Sequence, residues 1–244
     1  VIVIEKVLAR GVASVEAFCD PPDAVLYPGE AELIARAVDK RRREFRTVRH
    51  CARQALRQLG LPPAPVLRGE RGEPRWPAGV VGSMTHCTGY RAAAVAHSCD
   101  FSAVGIDAEP HEPLPAGVLG VIALDEEQEH LSELAAADRA ICWDRILFCA
   151  KETVYKTWFP LTRRWLGFED AAVTINPSTT DSEQGCFSAR LLVAAPTITG
   201  HPLIRFDGRW LRSDDLVITT VILPARTPIT VAATSQPPPF DIRC

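Results

Sequence analysis

A mixed α/β fold is predicted by three features of the chain. Residues 31–59 hold no proline or glycine and carry apolar residues in steps of three and four, the signature of a long amphipathic helix. Residues 138–159 repeat that pattern up to Pro160. Between and after these runs lie short apolar segments bounded by glycine and proline, which read as strands.

Along the chain, the first helix carries Ile34, Val38, Phe45, Val48, Ala52, Leu56 and Leu59 on its stripe, and Gly60 with Pro62 ends it. Arg41 falls on the same stripe. A guanidinium there is costly to bury unless an internal carboxylate or a ligand anion meets it. Arg42, Arg43, Arg46 and Arg53 are expected on a solvated face. Residues 61–77 form a proline- and glycine-rich connector carrying Arg68, Arg71 and Arg75. Strands over 80–84 and 91–96 flank the turn Thr85-His86-Cys87-Thr88-Gly89, and a third over 104–109 stops at Pro110. Residues 110–115 separate two halves. The second half has a helix over 124–137, the long helix, and strands over 171–175, 187–193 and 216–223. The tail from 224 to 244, with Pro237-Pro238-Pro239, has no core-forming pattern and is expected to be disordered or laid over the surface.

With 244 residues the chain can build one large domain or two small ones. A net charge of −3 gives no global attraction for nucleic acid or anionic membrane, so any anion site must be local. No apolar run approaches the ~20 residues that span a bilayer. The opening Val1-Ile2-Val3-Ile4 is broken by Glu5 and Lys6 and lacks a signal peptide's core, so a cytoplasmic location is expected. The eight cysteines are scattered without C-x-x-C spacing, as befits reduced, mostly core residues. His50-Cys51 and His86-Cys87 are adjacent pairs whose side chains point in different directions, which argues against zinc.

The chemistry concentrates in two places. In the third strand Asp107 and Glu109 point to one face while Ile106 and Ala108 point to the other. Alone, this is commonly a solvated acidic strand end. Neighbouring carboxylates repel unless a cation sits between them, and an all-oxygen pair suits a hard ion such as Mg²⁺. In the long helix Trp143, Ile146, Leu147, Ala150, Val154 and Trp158 form the buried stripe. Glu152 and Lys156 lie on the opposite side, one turn apart, with Arg145 on the same line. By itself that is a surface ion pair worth ~0.3–0.5 kcal/mol. Together with the upstream acids it reads as the wall of a cleft.

Three segments, Gly105-Ile106-Asp107-Ala108-Glu109, Trp143-Asp144-Arg145-Ile146-Leu147-Phe148-Cys149-Ala150-Lys151-Glu152 with Lys156, and Ser83-Met84-Thr85-His86, resemble the 4′-phosphopantetheinyl transferases of the Sfp/EntD type. Lys40-Arg41-Arg42-Arg43-Glu44-Phe45 and Thr47-Val48-Arg49-His50-Cys51-Ala52-Arg53 bring the likeness nearest to the EntD/PptT-like branch. The resemblance runs from about residue 31 to 223. It implies two similar α/β halves related by a pseudo-twofold axis, residues 1–110 and 111–223, each with helices on a small antiparallel sheet and the active site between them. It implies transfer of the 4′-phosphopantetheine arm of coenzyme A to a serine of an apo acyl or peptidyl carrier protein. The other product is 3′,5′-ADP, the ion Mg²⁺ or Mn²⁺, and the enzyme a monomer.

Carried over residue by residue, the resemblance makes Asp107, Glu109 and Glu152 metal ligands. Glu152 is also the base, and Lys156 a catalytic cation on the phosphate. Arg41, Arg49, Arg68, Thr85 and His86 form the pocket for the phosphates of coenzyme A. Arg68 stands where lysine is expected, and Trp165-Leu166-Gly167-Phe168-Glu169 where many relatives are richer in glycine. Neither that stretch nor Lys151 receives a role. Two rival readings are weaker. A nucleic-acid-binding module built on Lys40-Arg41-Arg42-Arg43 leaves the three acids unexplained. An inactive carrier-binding homologue would not need to keep the acids and Lys156 complete.

Overall fold

The computed structural model describes residues 3–225 apart from residue 199. In chain order, the first half contains β1 (Ala13–Ala17), α1 (Asp39–Gln58), a short hairpin of β2 (Leu67–Arg68) and β3 (Pro74–Arg75), then β4 (Val80–Cys87), β5 (Tyr90–His97) and β6 (Phe101–Pro110). The second contains α2 (Leu119–Ile122), α3 (Asp125–Ala137), α4 (Trp143–Thr162), β7 (Ala171–Pro177) and β8 (Gln184–Leu191). It continues with a small pair, β9 (Thr197–Ile198) and β10 (His201–Pro202), then β11 (Arg205–Ser213) and β12 (Leu216–Pro224).

Two antiparallel sheets organise these elements. One has the order β1-β5-β4, and α1 lies on it with Cys51, Ala52, Ala55 and Leu56 against the alanine-rich β5. The other has the order β6-β12-β11-β8-β7 and is covered by α4, whose Trp143, Ile146, Leu147, Ala150, Val154 and Trp158 are all buried as their spacing predicts. The fold is thus mixed α/β with one long helix per sheet. The expected division at residue 110 leaves β6 with the first half, but its backbone pairs with β12 from Leu216↔Pro110 to Pro224↔Phe101. β4 runs beside β6 and is joined to it through side chains. Ser83 Oγ donates to the Ile106 carbonyl (3.4 Å), and the Ala108 N–H donates to Thr85 Oγ1 (3.1 Å). This seam between the sheets carries the site.

Several expectations need correction. The first helix begins at Asp39, because Glu32–Ile34 is a separate 3-10 turn and Val38 is an extended N-cap residue, 73% exposed. Its working stripe is Phe45, Val48, Ala52 and Leu56, and Arg41 sits half-exposed at its edge instead of under it. Arg53 is not solvated but buried, paired with Glu30 at 3.0 Å. Thr85, His86 and Cys87 belong to β4, and only Thr88 and Gly89 make the turn, with Gly89 at φ +78.

Helix α4 runs through Pro160 to Thr162. Proline removes only one backbone donor this close to the end, and the Arg163 N–H still reaches the Phe159 carbonyl (2.8 Å). Of the described cysteines only Cys51, Cys87 and Cys149 are buried, whereas Cys19, Cys99 and Cys186 are exposed, so most are not core residues. The expected tail lies outside the described residues apart from Pro224 and Ala225. Among the described residues no helix is long and apolar enough to cross a membrane.

Candidate active site

Gly105 fixes how closely α4 approaches β6. A Cβ there would fall 2.0 Å from Thr157 Oγ1 and 2.7 Å from the Thr153 carbonyl, so only glycine lets the helix lie directly on the strand. Thr153 and Thr219 then tie α4 to β12 through their hydroxyls (2.6 Å). With the helix held there, Lys156 reaches Asp107 on the neighbouring strand, Nζ to Oδ1 2.6 Å.

The cleft at this seam encloses about 430 Å³. All of the candidate residues line it: Arg41, Arg49, Arg68, Thr85, His86, Asp107, Glu109, Glu152 and Lys156. They form an acidic wall and a basic wall.

On the acidic wall, Asp107 is 4% exposed. Its Oδ1 accepts from Thr85 Oγ1 (2.9 Å) and Lys156, while its buried Oδ2 has no hydrogen-bond partner among the described residues. Glu109 meets Arg145 Nη1 at 3.3 Å. Burial, then repulsion from Asp107, raises the Glu109 pKa to about 7 against the pull of Arg145 and Lys156. The same two causes raise Glu152, with Lys156 opposing. Burial works against the charge on Lys156, but Asp107 and Glu152 outweigh it and its pKa rises.

Among the described residues no three His, Cys, Asp or Glu side chains are gathered at metal-ligand spacing. The expected trio of Asp107, Glu109 and Glu152 therefore shares a cleft without converging. The donor chemistry nonetheless fits a hard cation. It offers oxygen ligands only, an orphaned buried Oδ2, and two carboxylates, Glu109 and Glu152, whose pKa burial and repulsion from Asp107 raise.

The basic wall is Arg49, Arg68 and Arg41. Arg49 is 4% exposed, donates from Nε to the Val66 carbonyl (2.9 Å), and stacks over the Phe45 ring. No carboxylate pairs with it among the described residues. Burial lowers its pKa to about 9, with Glu30 opposing and Arg68, Arg41 and Arg53 adding, so it is charged at neutral pH. Arg68 lies 5.3 Å from the centroid of the same ring, and burial followed by Arg41 lowers its pKa too. Arg41 has Glu44 Oε2 at 3.6 Å, but Arg49 and Arg68 have no carboxylate partner among the described residues, and guanidinium groups left so suit a phosphate.

Two expected phosphate ligands do something else. The Thr85 hydroxyl donates to Asp107 and accepts from Ala108, so it orients the carboxylate. His86 lies on a strand and accepts through Nε2 from Arg41, with Nδ1 3.5 Å from Glu44 Oε2. Burial and then Arg41 lower its pKa to about 4, so the neutral ring orients Arg41.

Arg145 grips Glu109, and its place on the Glu152–Lys156 line was the signal for it. Arg71 and Tyr155 also line the cleft. Arg71 comes from an irregular connector without periodicity and gave no signal. Lys151 turns away from the site. It donates to Glu127 (2.8 Å) and to the carbonyls of Phe168 (2.6 Å) and Ala171 (3.1 Å), pinning α4 to α3 and β7.

Comparison with known proteins agrees with this geometry. Residues 29–96 match the 4′-phosphopantetheinyl transferase N-terminal domain, and residues 103–202 match the 4′-phosphopantetheinyl transferase superfamily. The chain is 52% identical over 221 residues to the 4′-phosphopantetheinyl transferase PptT of Mycobacterium tuberculosis, covering 91% of this chain and 96% of that protein. It is 52% identical over 221 residues to the 4′-phosphopantetheinyl transferase Npt of Nocardia iowensis, covering 89% and 98%. Against the 4′-phosphopantetheinyl transferase Svp of Streptomyces mobaraensis it is 49% identical over 225 residues, covering 91% and 89%. With both family segments in order and such coverage by full-length relatives, the chain belongs to the 4′-phosphopantetheinyl transferase superfamily.

Proposed function

We propose that this transferase moves the 4′-phosphopantetheine arm of coenzyme A onto a serine of an apo acyl or peptidyl carrier protein and releases 3′,5′-ADP. The observation that carries this reading is that an acidic and a basic wall line one cleft. Arg49, buried and without a carboxylate partner among the described residues, lines the same cleft as Asp107, whose buried Oδ2 has no hydrogen-bond partner there, and Glu152, which has no ion pair there. A polyphosphate ligand with a divalent ion completes both walls at once.

In this reading Arg49, Arg68 and Arg41 hold the phosphates at the nucleotide end, and neutral His86 keeps Arg41 in place. Asp107, Glu109 and Glu152 would hold Mg²⁺ or Mn²⁺, which supplies charge neutralisation on the pyrophosphate when bound. Lys156 balances charge on the phosphoryl group that moves. Glu152, whose pKa burial raises, takes the serine proton. The serine oxygen bonds to the β-phosphorus, the bond from that phosphorus to the bridging oxygen breaks, and 3′,5′-ADP leaves with that oxygen. Because one chain provides both walls, a monomer suffices, and the free thiols suit a reducing, cytoplasmic setting.

The test is incubation with coenzyme A, Mg²⁺ and a panel of apo carrier domains, followed by intact-mass measurement. A gain of one phosphopantetheine arm on at least one carrier is expected. Unmodified carriers throughout, from a protein that still binds coenzyme A, would overturn the assignment.

A further inference from the structure

Arg145 does more in the fold than pair with an acid. It stands in the first turn of α4, on the helix face that carries Glu152 and Lys156 further along. Its side chain is 13% exposed and uses all three nitrogens. Nε donates to the Glu112 carbonyl (2.8 Å), Nη2 to the Pro113 carbonyl (3.1 Å) and Nη1 to Glu109 Oε2 (3.3 Å). The same stretch of linker is fastened twice more to the start of α4. The Leu114 N–H donates to Asp144 Oδ2 (2.8 Å), and the Cys142 N–H donates to His111 Nε2 (3.0 Å). The linker that follows β6 is thus wrapped round the first turn of the helix.

This wrapping bears on the acidic wall. Asp107 is held through Oδ1 by both Thr85 and Lys156. Glu109 is held by Arg145 through Oε2, and its Oε1 accepts no hydrogen bond among the described residues. The three acids line one cleft without converging, so the way Glu109 is held decides whether it can close on a cation. A guanidinium bound to that carboxylate alone could swing away when a cation arrived. Arg145 is not free to do so, because its other two nitrogens are committed to backbone carbonyls and the guanidinium is one rigid plane.

We propose that Arg145 is a positioning residue for transfer, fixing Glu109 by Oε2 and leaving Oε1 for the divalent ion. This rests on the transferase reading above. Partners behind a metal-binding carboxylate typically change metal affinity 10–100-fold when they are removed. Because one side chain holds Glu109, Glu112 and Pro113 together, the acidic wall and the junction between the halves move as a unit.

Mn²⁺ titrated calorimetrically into the coenzyme A complex tests this without turnover, since no carrier is present. Arg145→Met should weaken Mn²⁺ binding at least ~10-fold. Coenzyme A binding in EDTA should be unchanged. In a Glu109→Gln background the same substitution should cost little more, because Arg145 acts through Glu109. Arg145→Lys keeps the charge but cannot span a carboxylate and two carbonyls, so it should recover only part of the loss. It also carries the test should Arg145→Met not fold. Unchanged or tighter Mn²⁺ binding in Arg145→Met, an undiminished loss in the Glu109→Gln background, or full affinity in Arg145→Lys would each overturn the positioning role while the transferase reading stands. If the unsubstituted complex takes up no Mn²⁺, the ion in that reading fails and this proposal falls with it.

Discussion

Arg49 and Arg53 sit one turn apart on α1 and are almost equally buried, 4% and 3% exposed, yet their surroundings are opposite. Arg53 donates from Nη1 to both oxygens of Glu30 (3.0 Å each) and from Nη2 to the Val25 carbonyl. Glu30 also accepts the N–H groups of Val66 (2.9 Å) and Tyr27 (2.7 Å), so that pair is complete. Arg49 has the Val66 carbonyl and no carboxylate. Helix α4 shows the same contrast between adjacent residues. Lys151 fills all three of its donor positions, whereas Glu152 faces the cleft without an ion pair among the described residues. A buried charge finished by its own chain is architecture, and one left unfinished beside a cleft is waiting for a ligand.

That distinction predicts which substitutions break the fold and which break only the chemistry. Lys151→Met should lower unfolding free energy by ~3–5 kcal/mol, because Glu127 is left buried without its cation. Denaturant titration measures it. Adding Glu127→Leu should recover only part of the loss, since Glu127 also accepts from Leu124 (2.8 Å) and Val173 (2.7 Å). An unchanged midpoint in Lys151→Met would erase the contrast between the two kinds of charge.

Asp107→Ala should weigh on the chemistry more than on the fold. Turnover should fall at least ~100-fold, about 2.7 kcal/mol of transition-state stabilisation. The unfolding midpoint should fall less than in Lys151→Met, because Lys156 loses its acceptor but, at 28% exposed, is left in reach of water. Near-normal turnover would remove the acidic wall from the chemistry.

Arg49→Ala should weaken coenzyme A by roughly 1.5–3 kcal/mol, the range for hydrogen bonds to charged groups. Dephospho-coenzyme A should lose less, as measured by calorimetry. Equal losses for the two ligands would mean that Arg49 does not touch the 3′-phosphate.

These contrasts also show what the sequence could and could not convey. The α4 stripe was legible because a helix has one period, and Glu152 and Lys156 then had to share the other face. Asp107 and Glu109 were legible for the same reason in a strand. The partnership of Arg53 with Glu30 was not, because it spans an irregular segment whose path no periodicity encodes. Thr85 was placed in the site without its hydrogen bonds to Asp107 and Ala108, since the seam that sets β4 beside β6 is a tertiary event. The strand β11 was available and missed. Phe206, Gly208 and Trp210 are buried in alternation with exposed Arg205, Asp207 and Arg209. The start of α1 was overrun because residues 31–38 continue the apolar spacing yet form only a 3-10 turn and an extended cap.

The smallest expected effect tests the basic wall through His86. Burial, then Arg41, holds its pKa near 4 in the folded protein, with Lys156 and Arg91 adding and Glu44 opposing, whereas an unperturbed histidine titrates at 6.5. Between those values the unfolded chain takes up a proton that the folded ring refuses. Stability is therefore full above pH 6.5 and falls as the pH drops toward 4. The side chain is 32% exposed, and solvent screening reduces the loss to ~1 kcal/mol. His86→Gln keeps an acceptor for Arg41 and cannot titrate, so its unfolding free energy should change less across the same interval. Urea titrations at about pH 7 and about pH 4.5 give the comparison. Parallel losses in the two proteins would show that the ring titrates normally. The positive charge facing it would then be already balanced, and Arg41 would belong with Arg53 among the finished pairs, not with Arg49.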